Sequence, residues 1–214
     1  MALLTLLSIA ILAQASAEPL QTAICNPVGN VEGGVIENFN LRCPTDARDA
    51  AELQSYASAV AARTVSPVPL PQRDPSISVN EEIIFHLTEE GWRLPEPTWL
   101  IQTLARYPGR AAERGLEGRC NMRLELSPTG LPVQIDTRCQ AYRRNDSPRS
   151  GGSVFEGNAI AASGNSVWLL PLELETACIT SEHDFMLSNG RNDDIHRDWH
   201  EHPVEGAPTC PDAT

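Results

Sequence analysis

The chain has 214 residues, of which 28 are acidic and 16 are basic, so its formal net charge is -12 at pH 7. A strongly negative chain repels the phosphate backbone of DNA and RNA, and nucleic acid is therefore not expected as its natural partner. The length suffices for one domain or for two small ones. Six cysteines in a chain of this size favour disulfides over a thiol active site if the protein is exported.

The first 17 residues have the features of a secretory signal peptide. An apolar run over residues 2–13 is followed by Ala15, Ser16 and Ala17, the kind of small residues that precede a cleavage site. The run is shorter than the roughly 20 apolar residues of a membrane-spanning helix. The sequence therefore predicts cleavage after Ala17, a periplasmic or secreted location, and no stable membrane span. The alternative is that this segment is retained as a membrane anchor.

The basic residues are all arginines, and nine of the 16 lie between Arg106 and Arg149. The rest of the chain is correspondingly acidic, especially towards its C-terminus. Charge-rich segments of this kind usually neutralise one another on two surfaces of one fold. The alternative interpretation is a basic face that binds an acidic partner.

The region from residue 25 to residue 91 is predicted to form a hairpin, a helix and a strand. Cys25 and Cys43 enclose a segment with a glycine near its midpoint, which indicates a hairpin closed by a disulfide. Asp46 is a candidate N-cap for the helix that follows. Its apolar stripe comprises Ala50, Leu53, Ala57, Val60 and Ala61. The strand is predicted over residues 76–87 from the alternation of Ile77, Val79, Ile83, Phe85 and Leu87.

A short helix is predicted over residues 108–114. Pro108 suits the first helical position, and Gly115 suits the position just after a helix end. The helix leads directly into a strand that begins near Glu117.

The segment CNMRLELSPTGLPVQIDTRC, residues 120–139, predicts a β-hairpin with a defined register. Apolar and polar residues alternate on both sides of a turn that contains Pro128 and Gly130. If paired residue numbers sum to 259, all apolar positions and both cysteines face each other: Leu126 and Val133, Leu124 and Ile135, Met122 and Thr137, Cys120 and Cys139. Facing Cα atoms in such a ladder are about 4.5 to 5.5 Å apart, so a Cys120–Cys139 disulfide is predicted.

After this hairpin, the sequence predicts a helix near residues 154–163 and a strand over residues 166–175. The second half thus repeats the order hairpin, helix, strand of the first half. An internal duplication is the preferred interpretation, and the independent use of two similar disulfide-closed hairpins is the alternative. Cys178 and Cys210 are left to pair with each other by elimination. Trp92, Trp99, Trp168 and Trp199 are interpreted as core or groove residues.

The region around residues 97–175 resembles the C-terminal domain of the TonB energy-transducer family. In that family a Tyr-Pro pair precedes a short helix, a Gly, a Glu-Gly pair and a hairpin with a glycine in its turn. The matching residues are Tyr107, Pro108, Ala111, Gly115, Glu117, Gly118 and Gly130. Residues 25–91 would then be a divergent copy of the same domain.

The resemblance implies an α+β fold of small antiparallel β-sheets with helices packed on one face, here in tandem. It also implies a non-enzymatic function without cofactors, in which an edge strand of the sheet binds an extended segment of a partner. Candidates for the partner are a protein or peptide such as a segment of an outer-membrane transporter, or a second copy of the chain. The residues assigned to partner binding are Tyr107, Pro108, Val167 and Leu169.

The chain differs from an energy transducer because it has a cleavable signal and only the nine-residue spacer PVPLPQRDP. We therefore expect partner binding without energy transduction, with a short anchored transducer as an alternative. The predicted organisation is a signal peptide at 1–17, a divergent repeat at 18–92, a TonB-like domain at 93–178 and an acidic His-rich tail at 179–214.

The C-terminal tail suggests a second alternative function, metal binding. His196 and His200 are four residues apart and would share one face of a helix, with His202 close by. This spacing is not the HExxH motif of zinc hydrolases. A solvated acidic tail is the preferred interpretation, and a secreted metal-binding protein is the alternative.

Overall fold

A computed structural model describes residues 19–32, 35–66, 68–69, 77–143, 148–187 and 204–211. These residues form an α+β fold of small antiparallel sheets and short helices, which confirms the predicted fold class. The strands are β1 (Gln21–Glu32), β2 (Val35–Arg42), β3 (Val68–Pro69), β4 (Ile77–Val79), β5 (Ile83–Thr88), β6 (Gly91–Arg93), β7 (Thr98–Thr103), β8 (Leu116–Leu126), β9 (Pro132–Arg143), β10 (Pro148–Arg149), β11 (Val167–Leu169) and β12 (Ala177–Phe185). The helices are α1 (Ala50–Arg63), α2 (Gly109–Glu113) and α3 (Ser153–Gly164). The predicted signal peptide lies outside the described residues.

The first sheet has the strand order β3-β2-β1-β5-β6. Its central hairpin pairs Asn26 with Arg42, and the adjacent Cys25 and Cys43 form the predicted disulfide. Pro27 is accommodated in this hairpin opposite Leu41. The cross-link closes a short loop, which stabilises the folded state by roughly 3 kcal/mol in the chain-entropy model.

Helix α1 packs on this sheet through the predicted stripe, in which Leu53, Ala57, Val60 and Ala61 are buried. The prediction of Asp46 as its N-cap is wrong. Residues 45–49 form turns, and the helix begins only after Asp49, whose carbonyl accepts hydrogen bonds from the amides of Glu52 and Leu53.

The strand predicted over residues 76–87 is instead two strands in different sheets, β4 and β5. Asn80 causes the break: its side chain donates to the carbonyl of Trp99 and accepts from the amide of Glu82. The chain therefore turns between the two strands. The alternation after the break is retained, since Ile83, Phe85 and Leu87 are all buried.

The second sheet has the order β10-β9-β8-β12. The predicted hairpin register is confirmed from Cys120 opposite Cys139 to Leu124 opposite Ile135, and the two cysteines form a disulfide. The register shifts at the turn end, where Leu126 faces Pro132 rather than Val133. Val133 is consequently exposed.

Helices α2 and α3 pack on one face of this sheet. Pro108 is the N-cap of α2 rather than its first helical residue, and Gly115 adopts the left-handed conformation just after the helix, as predicted. Phe155 and Ala159 of α3 are fully buried against the even-numbered residues of β8.

The strand predicted over residues 166–175 is present only as β11, and the third long strand of the sheet is β12. β12 pairs with β8 along its whole length, from Ala177 opposite Leu126 to Phe185 opposite Gly118. The domain boundary predicted at residue 178 therefore falls within a strand, and residues up to 185 belong to the sheet rather than to a tail.

A third sheet, β11-β7-β4, joins the two halves of the chain. One hydrophobic core contains residues of the first half together with Ile101, Val167 and Leu169. The boundary predicted at residue 92 lies within β6, beside the fully buried Trp92. Trp99 and Trp168 are half-buried, and Trp199 lies outside the described residues.

The two halves repeat one arrangement of elements. In each, a disulfide-closed hairpin is followed by a helix and then by a strand that pairs antiparallel with the first hairpin strand. In each, a short strand between the helix and the final strand pairs with β7. β7 is thus flanked by corresponding strands of the two halves.

Candidate binding edge of the four-stranded sheet

Strand β12 is the outermost strand on its side of the second sheet within the part of the chain that the structure describes. The corresponding strand of the first half, β5, is partly covered by β6, which pairs with residues 86–88. β12 has nine residues, and no described strand pairs with its outer side. An edge strand of this length is a template for pairing with a further strand.

The two faces of β12 differ in chemistry. On the helix side, His183 and Phe185 are buried, while Ala177, Ile179 and Ser181 are half-buried. On the opposite side, Thr180 and Glu182 are exposed. A strand added beside β12 would therefore contact a partly apolar surface on one face and an acidic, polar surface on the other.

The acidic side chains of β12 are held against β8. Asp184 accepts hydrogen bonds from Arg119, with the shorter one from Nε to Oδ1 at 2.9 Å, and this bond raises the pKa of the Arg119 guanidinium. Glu182 accepts a 2.7 Å bond from the side-chain amide of Asn121. Both carboxylates are thus directed towards β8, away from the outer backbone edge of β12.

A disulfide between Cys178 and Cys210 ties residues 204–211 to the beginning of β12. Cys178 faces Glu125, so the disulfide lies on the polar face of the sheet, opposite the helices. No backbone hydrogen bond joins residues 204–211 to β12 among the described residues. The pairing of Cys178 with Cys210, predicted by elimination, is thus confirmed.

Tyr107 and Pro108, assigned to partner binding from the resemblance, have internal contacts. The Tyr107 hydroxyl donates to the carbonyl of Leu116, and its ring packs edge-on against Phe155 and Phe185, at centroid distances of 6.1 and 6.2 Å. Pro108 is buried and its carbonyl accepts the first hydrogen bonds of α2. In this structure Tyr107 and Pro108 fix the segment before β8 to the sheet.

Val167 and Leu169, the other two residues assigned to partner binding, are fully buried in the first core. The outer side of β11 is also occupied, because the amide of Trp168 donates a 2.9 Å bond to the carbonyl of Gly130 in the β8–β9 turn. These two side chains are therefore unavailable to a partner. No described strand pairs with the outer edge of β12, which the sequence interpretation assigned mainly to the tail.

Alternation in the sequence could have revealed β12. Ile179, Ser181, His183 and Phe185 occupy one parity and Thr180, Glu182 and Asp184 the other. The charged residues made this segment resemble the acidic tail that follows it.

Ser163 and His183 form a buried polar pair beneath β12. The serine hydroxyl lies 3.2 Å from His183 Nε2 and 3.1 Å from Met122 Sδ. The two residues are only 2% and 6% exposed. Burial lowers the pKa of His183 because the charged imidazolium would lose its hydration. A serine and a histidine at this distance could support nucleophilic chemistry, but here the surrounding core encloses both.

Among the residues that the structure describes, no three His, Cys, Asp or Glu side chains are grouped as metal ligands. The candidate ligands His196, His200 and His202 lie outside them. Within the same residues, no helix has the length and apolar character required to cross a bilayer. Comparisons with protein-family models, curated proteins and solved structures found no match.

Proposed function

We propose that the protein is a periplasmic, non-enzymatic binding module of the TonB C-terminal type, which binds an extended segment of a partner protein along β12. The observation that carries this proposal is the nine-residue outer edge of the second sheet, with which no described strand pairs. Backbone hydrogen bonds supply affinity in this mode of recognition, and side-chain contacts on alternate residues supply selectivity.

The arrangement of the second half supports the proposed relationship. Its order α2, β8, β9, α3, β12, with both helices on one face of an antiparallel sheet, agrees with the fold implied by the resemblance. The tandem repetition of this arrangement supports descent of the two halves from one duplicated domain. As the binding edge, however, we propose β12 instead of the strand that contains Val167 and Leu169.

The chemistry of β12 specifies the kind of segment it would bind. Next to Thr180 and Glu182 we expect polar or basic side chains, because the exposed carboxylate attracts positive charge. Next to Ala177 and Ile179 we expect apolar side chains. The partner segment should therefore alternate between apolar and basic or polar residues, as suits a peptide exposed by an outer-membrane transporter.

The three disulfides indicate an oxidising compartment outside the cytoplasm. The signal-like N-terminus supports the periplasm as that compartment. A cleaved signal would leave the chain without a membrane anchor, so the proposed module binds its partner without transmitting energy.

The test is a selection of binders from a displayed library of random extended peptides and transporter N-terminal segments. Each selected peptide is then synthesised with single N-methyl groups at successive amides. Strand addition predicts that methylation at alternate positions abolishes binding and that methylation at the intervening positions is tolerated, because only every second amide faces β12. Amide chemical shifts should report the largest changes in β12.

Glu182→Lys is expected to weaken the binding of a basic peptide about tenfold or more, by placing like charges on adjacent strands. Glu96→Lys, in an exposed loop, makes the same charge change as a matched control and should have little effect. Uniform tolerance of N-methylation, or equal effects of the two charge reversals, would contradict strand addition at β12.

A further inference from the structure

A second surface feature lies at the opposite edge of the same sheet. A cavity of about 340 Å³ is lined by Arg114, Leu116, Arg143, Arg149 and Ser150. Arg143 ends β9, Arg149 ends β10, and Arg114 follows the last residue of α2. Chain segments from three separate elements therefore bring three arginines to one depression, and none of its described lining residues is a carboxylate.

These arginines differ from others of the same sequence cluster. Arg119 is paired with Asp184, and Arg123 contacts both Glu125 and Asp136 at 2.8 and 2.9 Å. Arg114, Arg143 and Arg149 form no ion pair with any described residue. Mutual neutralisation thus accounts for part of the basic cluster and leaves these three arginines without a counter-charge among the described residues.

Three positive charges line one depression, and because Arg114, Arg143 and Arg149 are exposed, solvent and salt screen much of their mutual repulsion. No carboxylate among the described lining residues offsets the remainder. A bound anion would remove the repulsion. Guanidinium groups suit this role because their planar donors form paired hydrogen bonds with oxyanions.

The base and rim of the cavity add to its preference for an anion. Leu116 is buried and provides an apolar floor that lowers the local dielectric. The terminal nitrogens of Arg114 lie over Gly151, since a Cβ there would be 3.5 Å from each of them. Gly151 is two residues before the start of α3, whose N-terminal end carries a partial positive charge.

We propose that this cavity binds a phosphate group. A phosphate monoester carries about -1.5 to -2 charges and three acceptor oxygens, which match three guanidinium groups better than a singly charged carboxylate does. The group could belong to a soluble phosphomonoester or to the headgroup of a lipid. The site is separate from the edge proposed for partner binding, because β10 and β12 are on opposite sides of the sheet.

The experiment titrates the protein, with its disulfides intact, against three probes at constant ionic strength. The first two are inorganic phosphate and glycerol phosphate, followed through amide chemical shifts. The third is phosphatidylcholine vesicles with and without phosphatidic acid, followed by co-sedimentation. Saturable shifts at residues 114–116, 143 and 149–150 assign a soluble ligand, and binding only to vesicles that contain phosphatidic acid assigns a headgroup.

The variants Arg114→Gln, Arg143→Gln and Arg149→Gln are each expected to weaken binding about tenfold, because each removes one charge-assisted contact. Arg110→Gln removes the same charge from an exposed position of α2 that does not line the cavity, and it should retain affinity. The absence of saturable binding to all three probes would overturn the proposal. An effect of Arg110→Gln as large as those of the lining variants would overturn it too.

Discussion

His183 occupies a position that is apolar in the other half of the molecule. It faces Cys120 in the second sheet, as Ile83 faces Cys25 in the first. The two residues have corresponding places beneath a helix, but only the second half has a hydrogen-bonded pair there, between His183 and Ser163. A titratable group in such a position makes stability dependent on pH.

We predict that the free energy of unfolding falls as the pH is lowered from 7 towards 5. Burial places the folded-state pKa of His183 below its usual value of 6.5. The unfolded chain keeps the usual pKa. At pH values between the folded-state pKa and the usual pKa, the unfolded chain therefore binds more protons than the folded chain, and acidification favours unfolding. Each unit of pKa difference corresponds to about 1.4 kcal/mol. Urea denaturation at a series of pH values measures the effect.

His183→Gln provides the control for this prediction. The glutamine side chain cannot titrate, yet it retains a donor and an acceptor for the Ser163 hydroxyl. We expect this variant to lose less stability than the parent over the same pH interval. An unchanged pH dependence would assign the effect to other groups.

The arginines show what the sequence could and could not predict about individual side chains. The clustering of nine arginines between Arg106 and Arg149 is evident from the sequence alone. Both interpretations of the cluster, mutual neutralisation and a basic face for an acidic partner, start from this observation. The register of the strands then determines which of these arginines lie close enough to a carboxylate to form an ion pair. Arg123 meets Asp136 across the hairpin, and Arg119 meets Asp184 only because β12 returns beside β8. That second pairing depends on contacts between distant segments, which local patterns do not contain.

Among the elements, the hairpin formed by β8 and β9 was the most predictable. Its alternation, its turn residues and its two cysteines all require the same register, and one residue of slippage would expose every apolar side chain. The division between β4 and β5 was missed because the apolar parity of Ile77 and Val79 resumes at Ile83, although Glu81 interrupts it. At the division, the side chain of Asn80 bonds to the carbonyl of Trp99 and the amide of Glu82.

The turn of the β8–β9 hairpin also contacts another element, strand β11. Gly130 has a φ of +78°, and a Cβ added there would lie 1.8 Å from the carbonyl oxygen of Trp168 in β11. The turn therefore needs a glycine for its backbone conformation and for the close approach of β11.

We predict that Gly130→Ala lowers the free energy of unfolding by at least about 2 kcal/mol, through backbone strain and loss of the contact with β11. Gly157→Ala is the matched substitution, because Gly157 lies within α3 and a Cβ there meets no atom within 4 Å. That variant should gain about 0.5 to 1 kcal/mol from helix propensity. Denaturant unfolding of the two proteins compares the effects, and equal changes would show that the close approach has no energetic importance.

At the scale of the whole molecule, the two repeated halves are joined by more than the chain between them. They share the sheet β11-β7-β4 and one hydrophobic core. The side chain of Arg63, at the end of α1, adds a polar connection to the second half. It donates to the carbonyls of Pro128, Pro171, Leu172 and Leu174.

A single guanidinium thus bonds to carbonyls from two loops, and the carbonyl of Pro171 also accepts from the amide of Leu174. Tyr56 supports the same junction from α1, since its hydroxyl lies 3.0 Å from Glu173 Oε2. Glu173 is also paired with Arg93 at 2.9 Å. These contacts link the first helix and the first sheet to residues 171–174, just before β12.

We predict that Arg63→Ala lowers the free energy of unfolding by about 2 to 3 kcal/mol, because charge-assisted bonds are lost, among them the part-buried bond to the carbonyl of Leu172. Arg63→Lys should recover only part of this loss, since an ammonium group lacks the planar fork of donors. Arg42→Ala removes an exposed arginine of β2 and serves as the control, with an expected change within about 0.5 kcal/mol.

Hydrogen exchange tests whether this junction also makes the two halves unfold together. In the parent protein, the most protected amides of β1 and of β8 should exchange with the same free energy, since the shared sheet and Arg63 couple both cores. In Arg63→Ala, the amides of β8 should become less protected than those of β1, because residues 171–174 and the β8–β9 turn lose their bonds to Arg63. Equal loss of protection in both strands would show that the shared core alone maintains the coupling.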